Sequence, residues 1–168
     1  MKTIVAESSM VLLRLLDYCI YAHSSVDSKQ TTEDAEKSFI EHSIEERVKL
    51  DEETLVNFNN FKKHVLLNET TNDLNEYTVV TILVVVAGSL KQPVLNNILD
   101  LKDALNKLSA ISISQTLAAE VMWTPHSEKD TFSELEMLES FPLLKPLDKR
   151  YKALTKDAFS TYNNPIFE

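Results

Sequence analysis

Tyr77-Thr-Val-Val-Thr-Ile-Leu-Val-Val-Val-Ala87 is the stretch on which the fold turns. Its Val, Thr, Ile and Tyr residues favour a strand, because β-branched and aromatic side chains pack well on a pleated surface. From Val79 onward both faces are apolar, which predicts a central strand covered on both sides. The full apolar run, Tyr77 to Leu90, lies between Glu76 and Lys91. As a helix it would rise about 21 Å, short of the ~30 Å hydrocarbon core, so it reads as a buried strand and not a membrane span. Gly88-Ser-Leu-Lys-Gln-Pro93 ends it. Asn96 or Asn97 then caps a helix over 98–108, with Ile98, Leu101, Leu105 and Leu108 on one stripe. Thr116 to Trp123 reads as a second strand, stopped by Thr124-Pro125. Strand, helix and strand over 77–123 predict a right-handed crossover joining two parallel strands. The expected fold class is α+β: a small, partly parallel sheet centred on 77–87, with 116–123 beside it and several helices packed around.

Outward from this centre the pattern is helical. Residues 3–17 read as a helix whose apolar set, Val5, Met10, Leu12, Leu13, Leu15 and Leu16, suits burial on two sides. Asp17 to His23, rich in aromatic and β-branched residues, either extends this helix or forms a short strand, with the strand favoured. A helix over about 33–42 follows, and Ser43-Ile-Glu-Glu46 has the form of a capping box that starts a new short helix. Asp51 reads as the N-cap of a helix over 52–66, and 68–75 as a loop. Ser133 and Glu136 form a second capping box, for a helix over 134–140 closed before Pro142. A helix near 150–159 is expected in the tail. The expected organisation is one domain over 1–147 and a C-terminal extension over 148–168.

Composition excludes several chemistries. The chain has 168 residues and a net charge of −9, which argues against a general nucleic-acid binder. One Gly, where average usage would give about a dozen, leaves no glycine-rich phosphate cradle. One Cys leaves no disulfide framework and no cysteine-based zinc site. No pair among His23, His42, His64 and His126 has the i, i+4 spacing of a helical metal site. No cofactor is therefore expected. The N-terminal apolar stretch 8–22 is broken by Arg14 and Asp17, against a signal peptide.

Candidate site residues are few. Glu120 interrupts an apolar strand, and alternation places it with Ala118 and Met122, opposite Ala119, Val121 and Trp123. It is either an edge-strand carboxylate facing water or a Lys, or a buried functional acid that needs a partner. Trp123-Thr124-Pro125-His126-Ser-Glu128-Lys-Asp130-Thr131 joins that strand to a capped helix, a common setting for function, though each residue also has an ordinary packing or turning role. Were 18–23 a strand, Cys19 and His23 would share a face, as a thiolate–imidazole pair or with Cys19 as a structural thiol. Segment 31–54 holds nine acids against three bases, whereas Lys145, Lys149, Arg150, Lys152 and Lys156 make the C-terminal region basic.

The residue runs Leu12-Leu-Arg-Leu-Leu-Asp-Tyr-Cys-Ile-Tyr-Ala22, Ser43-Ile-Glu-Glu-Arg-Val-Lys-Leu50, Tyr77 to Ala87, Asp100 to Leu105, Ala119-Glu-Val-Met-Trp-Thr-Pro125 with Asp130-Thr131, and Phe141-Pro-Leu-Leu144 resemble domain-of-unknown-function family fifteen-seventeen of cyanobacteria and plastids. The likeness covers roughly 8–147. It implies an oxygenic-photosynthesis setting, in the plastid stroma, at the thylakoid surface or in cyanobacterial cytoplasm, and carries over no catalytic residues. Longer members have a glycine-rich or membrane-spanning segment before this domain and begin it with a strand and helix that this sequence lacks, so membrane anchoring is in doubt and an open sheet edge is expected. Cys19 stands where the family pattern leads one to expect Trp. The expected function is a non-catalytic protein-interaction or assembly factor of the photosynthetic apparatus, its partner another protein of a photosynthetic membrane complex. No nucleic acid and no integral span are expected, and peripheral membrane association stays open. Alternatives are a small soluble enzyme using Glu120, His126 and Asp130 at the strand end, or a small-molecule sensor domain.

Overall fold

The computed structural model describes residues 3–67 (backbone alone for 50–67), 76–125 and 132–148. In chain order the elements are α1 (Ile4–Arg14), β1 (Tyr21–Ala22), α2 (Thr32–Leu67), β2 (Val79–Val86), α3 (Ile98–Ser109), β3 (Thr116–Thr124), α4 (Glu134–Ser140) and β4 (Lys145–Pro146). The class is α+β. Residues 68–75, the 126–131 part of the loop and the tail helix near 150–159 lie outside the described residues.

The expected parallel pairing is overturned. β2 and β3 run antiparallel, from Val79 opposite Thr124 to Val86 opposite Thr116, with a bulge that leaves Leu117 as the extra residue. The reason lies in segment 87–115. Gly88, at φ 102°, sits where a Cβ would be strained and turns the chain out of the strand. The chain then runs outward irregularly, and α3, about 18 Å long, brings it back to the same end. The Ala87 N–H donates to the Gln115 carbonyl at 2.8 Å and closes the mouth of this excursion. A crossover helix must lie across its sheet, but α3 packs on α1 instead. Its start is as expected: Asn97 Oδ1 accepts from the N–H groups of Leu99 at 2.8 Å and Asp100 at 3.1 Å.

Nor is β2 central among the described residues. Among the described residues β2 and β3 form one two-stranded sheet, and β1 and β4 a second. Val80 to Val86 are accordingly half-buried, not covered on both sides. The bond from Ala87 shows which backbone groups of β2 face β3. Odd-numbered residues turn their N–H and C=O towards it, whereas Val80, Ile82 and Val84 turn theirs to the outer edge.

The helices 33–42, 43–50 and 52–66 expected from the sequence are one continuous helix, α2. Ser43 and Glu46 do not cap it, because both side chains bond to residues outside the helix backbone, as described below. Asp51 is likewise inside the helix. By contrast, Ser133 and Glu136 do form the capping box of α4, with Ser133 Oγ accepting from the Glu136 N–H at 3.3 Å.

α1 is capped by Thr3, whose Oγ1 accepts from the Ala6 N–H at 3.1 Å, and it ends at Arg14 before a 3₁₀ turn over Leu16–Tyr18. Only Tyr21–Ala22 of the expected 17–23 strand forms, pairing antiparallel with β4. The buried side of α1 is Val5, Ala6 and Ser9 and not the leucines; Leu15 stays exposed. Small residues there allow α1 and α3, with buried Ala104 and Leu105, to approach closely. Ser9 is fully buried and its hydroxyl has no partner among the described residues. A buried unsatisfied hydroxyl costs ~1–3 kcal/mol. Ser9→Ala should therefore raise the unfolding free energy by about 1 kcal/mol in urea titration; a decrease would contradict this packing.

Two apolar clusters hold the remainder. Tyr77, Val79, Phe132, Met137 and Phe141 form one, and Ala22, Leu95, Ala104 and Leu147 the other. The short β1–β4 ladder, extended by the Leu147 N–H donating to the Ile20 carbonyl at 2.8 Å, ties them together.

Candidate functional site

The principal polar cluster lies where α2 crosses the β2–β3 sheet. On a continuous helix Ser43, Glu46 and Arg47 stand at i, i+3 and i+4 and share a face. On the sheet, Glu120 pairs with Leu83 and Met122 with Thr81, so Glu120 and Thr81 share a face as well. Ser43 Oγ donates to Glu120 Oε2 at 2.5 Å. Arg47 donates to Glu120 Oε1 from Nε at 2.9 Å and from Nη2 at 2.6 Å. Thr81 Oγ1 donates to Glu46 Oε2 at 3.3 Å, and Lys49 Nζ reaches Glu46 Oε1 at 2.5 Å. Lys49 Nζ also stands 4.8 Å from the centre of the Phe141 ring, a cation–π contact that links the cluster to the apolar core.

The electrostatics decide what Glu120 can do. The Ser43 hydroxyl hydrogen bond is the largest influence and lowers its pKa; burial opposes this, and the Arg47 hydrogen bond and charge reinforce the lowering. Its side chain is 18% exposed, whereas the Arg47 side chain is 63% exposed. Glu120 is thus an ionised carboxylate held from two sides, poorly suited to take a proton near neutral pH. Its evident work is to fasten α2 to the sheet. The sequence left Glu120 either facing water or a Lys or buried with a partner; its partners are Arg47 and Ser43.

The remaining predicted residues do not converge on Glu120. Trp123 lies on the opposite face of β3 and is 40% exposed, while Thr124, on the Glu120 face, is buried. Pro125 follows through a cis peptide bond. His126, Glu128, Asp130 and Thr131 lie outside the described residues. Cys19 is half-buried, its Sγ donates to the Leu15 carbonyl at 3.5 Å, and burial pushes its pKa up, the reverse of thiolate activation. His23 is exposed. Sequence reasoning missed Ser43, Glu46, Arg47, Lys49 and Thr81. The signal was the i, i+3, i+4 spacing of Ser43, Glu46 and Arg47, hidden by reading the first two as a cap.

Among the described residues no group of three or more His, Cys, Asp or Glu side chains is placed to hold a metal ion. No described helix is long and apolar enough to cross a membrane. The architecture is that of a small α+β domain in which polar groups pin a long helix onto a two-stranded sheet. The chain belongs to the family described as "Protein of unknown function (DUF1517)", whose model matches residues 1–147. It is 48% identical over 145 residues to FLUCTUATING-LIGHT-ACCLIMATION protein 1, chloroplastic, of Arabidopsis thaliana, covering 86% of this chain and 37% of that protein. It is 33% identical over 151 residues to Protein FLAP1 homolog A of Synechocystis sp., covering 84% of this chain and 45% of that protein. The chain therefore spans less than half the length of these curated relatives. No solved structure matches it significantly. The relatives sit in the plastid and cyanobacterial setting that the resemblance implied.

Proposed function

We propose that this domain is a non-catalytic interaction or assembly factor that serves light acclimation of the photosynthetic apparatus, in a plastid or a cyanobacterium. The names of its relatives supply the setting. The observation that carries the mode of action is the two-stranded sheet, in which each strand is paired on one side only among the described residues. The outward N–H and C=O groups of Val80, Ile82 and Val84 offer an extended segment of a partner a ladder to join, since strand addition satisfies backbone groups otherwise left to water. Segment 123–131, which follows β3 in sequence and begins with the exposed Trp123, is the second part of the proposed surface.

The test is an affinity pull-down from detergent-solubilised native membranes. Wild type is compared with Glu128→Lys/Asp130→Asn in the loop and with Val84→Pro, which removes an outward N–H from the edge strand. Circular dichroism checks that each variant is folded. Loss of a specific protein partner in either folded variant supports the reading. Retention of every partner in both excludes this surface.

A further inference from the structure

The outer side of α2 carries an apolar ridge that the other described residues leave open. Ile40, Ile44 and Val48 recur every four residues and are 56, 56 and 46% exposed. Ser43 and Arg47, one position before Ile44 and Val48, turn instead to the sheet. Single exposed apolar residues are ordinary, but a contiguous row of β-branched side chains on a helix is the pattern of a helix that another segment covers. Glu41 and Glu45 border the row and are exposed, within a stretch, 31–54, of nine acids and three bases.

We propose that this ridge is the docking surface for residues 149–159 of the same chain, Lys-Arg-Tyr-Lys-Ala-Leu-Thr-Lys-Asp-Ala-Phe. Two observations single out this occupant. Its charge is opposite, with four bases and one acid. Its apolar residues Tyr151, Leu154 and Ala158 stand at i, i+3 and i+7, the spacing that lets a segment lay one side along a helical ridge. A second copy of α2 on the ridge would bring two acidic segments together, which disfavours that occupant. The inference does not rest on the proposed strand-edge function and uses a different surface.

The test is carbodiimide cross-linking of the full chain at low salt, with the joined peptides mapped by mass spectrometry. The expected result is amide links from Lys149, Lys152 or Lys156 to Asp34, Glu41 or Glu45. Mixed light and heavy isotope-labelled chains should show them to form within one chain. Ile44→Asp on the ridge and Leu154→Asp in the tail should each lower their yield about tenfold, because each replaces a buried apolar contact with a charge. Ile44 is exposed in the domain itself, so its substitution leaves the fold intact, and Leu154→Asp makes the same test from outside α2. Absence of these links, links only between chains, or unchanged yields in both variants would overturn the proposal.

Discussion

Replacing Phe132 with alanine should lower the unfolding free energy by about 3–5 kcal/mol, the range for emptying an aromatic core position. Phe132 is buried, its ring stands edge-on to Phe141 with centroids 6.2 Å apart, and its N–H and carbonyl exchange hydrogen bonds with Tyr77 at 3.1 and 2.9 Å. The side chain therefore fills the cluster that also receives Val79, Met137 and the foot of α4. Domains of this size are stable by only about 5–15 kcal/mol, so the loss is a large share of the whole. Urea denaturation measures it: the midpoint should fall with little change in slope. A loss below about 1 kcal/mol would mean that the cluster is not packed around this ring.

The second large effect is expected at Glu120. Glu120→Ala removes the acceptor for both Ser43 and Arg47 and should cost about 1–2 kcal/mol, whereas Arg47→Ala, at a largely exposed position, should cost about 0.5 kcal/mol. The pH dependence has a definite sign. The native pKa of Glu120 is lowered, so its contribution is complete above the unfolded value of about 4.3 and is lost as pH falls through the lower native value. The stability difference between wild type and Glu120→Gln should hold steady from about pH 6 to 8 and shrink below about pH 5. Thermal denaturation across this range decides the matter; a difference that persists undiminished well below the native pKa would show that the carboxylate charge is not what binds α2.

Local chemistry accounts for what was legible beforehand. The β-branched run at 79–86, the Asn97 cap and the Ser133–Glu136 box each act within a few residues, and each formed as read. Strand direction was not legible, because it depends on where α3 finds its partner. Periodicity marks the apolar stripe of α3 but does not say that α1, far away in sequence, receives it. The same limit applies to Ser43 and Glu46. As a local motif they satisfy each other, but Glu120, 77 residues beyond Ser43, competes for its hydroxyl and wins, so the helix continues. Half of the candidate site followed from strand alternation, which placed Glu120 opposite Trp123; the α2 half needed the tertiary pairing.

The unbroken course of α2 has a mechanical corollary. Its 36 residues make a rod about 54 Å long, against about 26 Å for the eight residues of β2. The polar joint to the sheet lies at 43–47, so about 30 Å of helix separates Arg47 from Leu67. A tilt of about 10° at that joint swings the far end through about 5 Å. The hydrogen-bonded side chains of Ser43, Glu46 and Arg47 thus act as the fulcrum of a lever, and a small rearrangement around Glu120 is magnified at the tip of the rod.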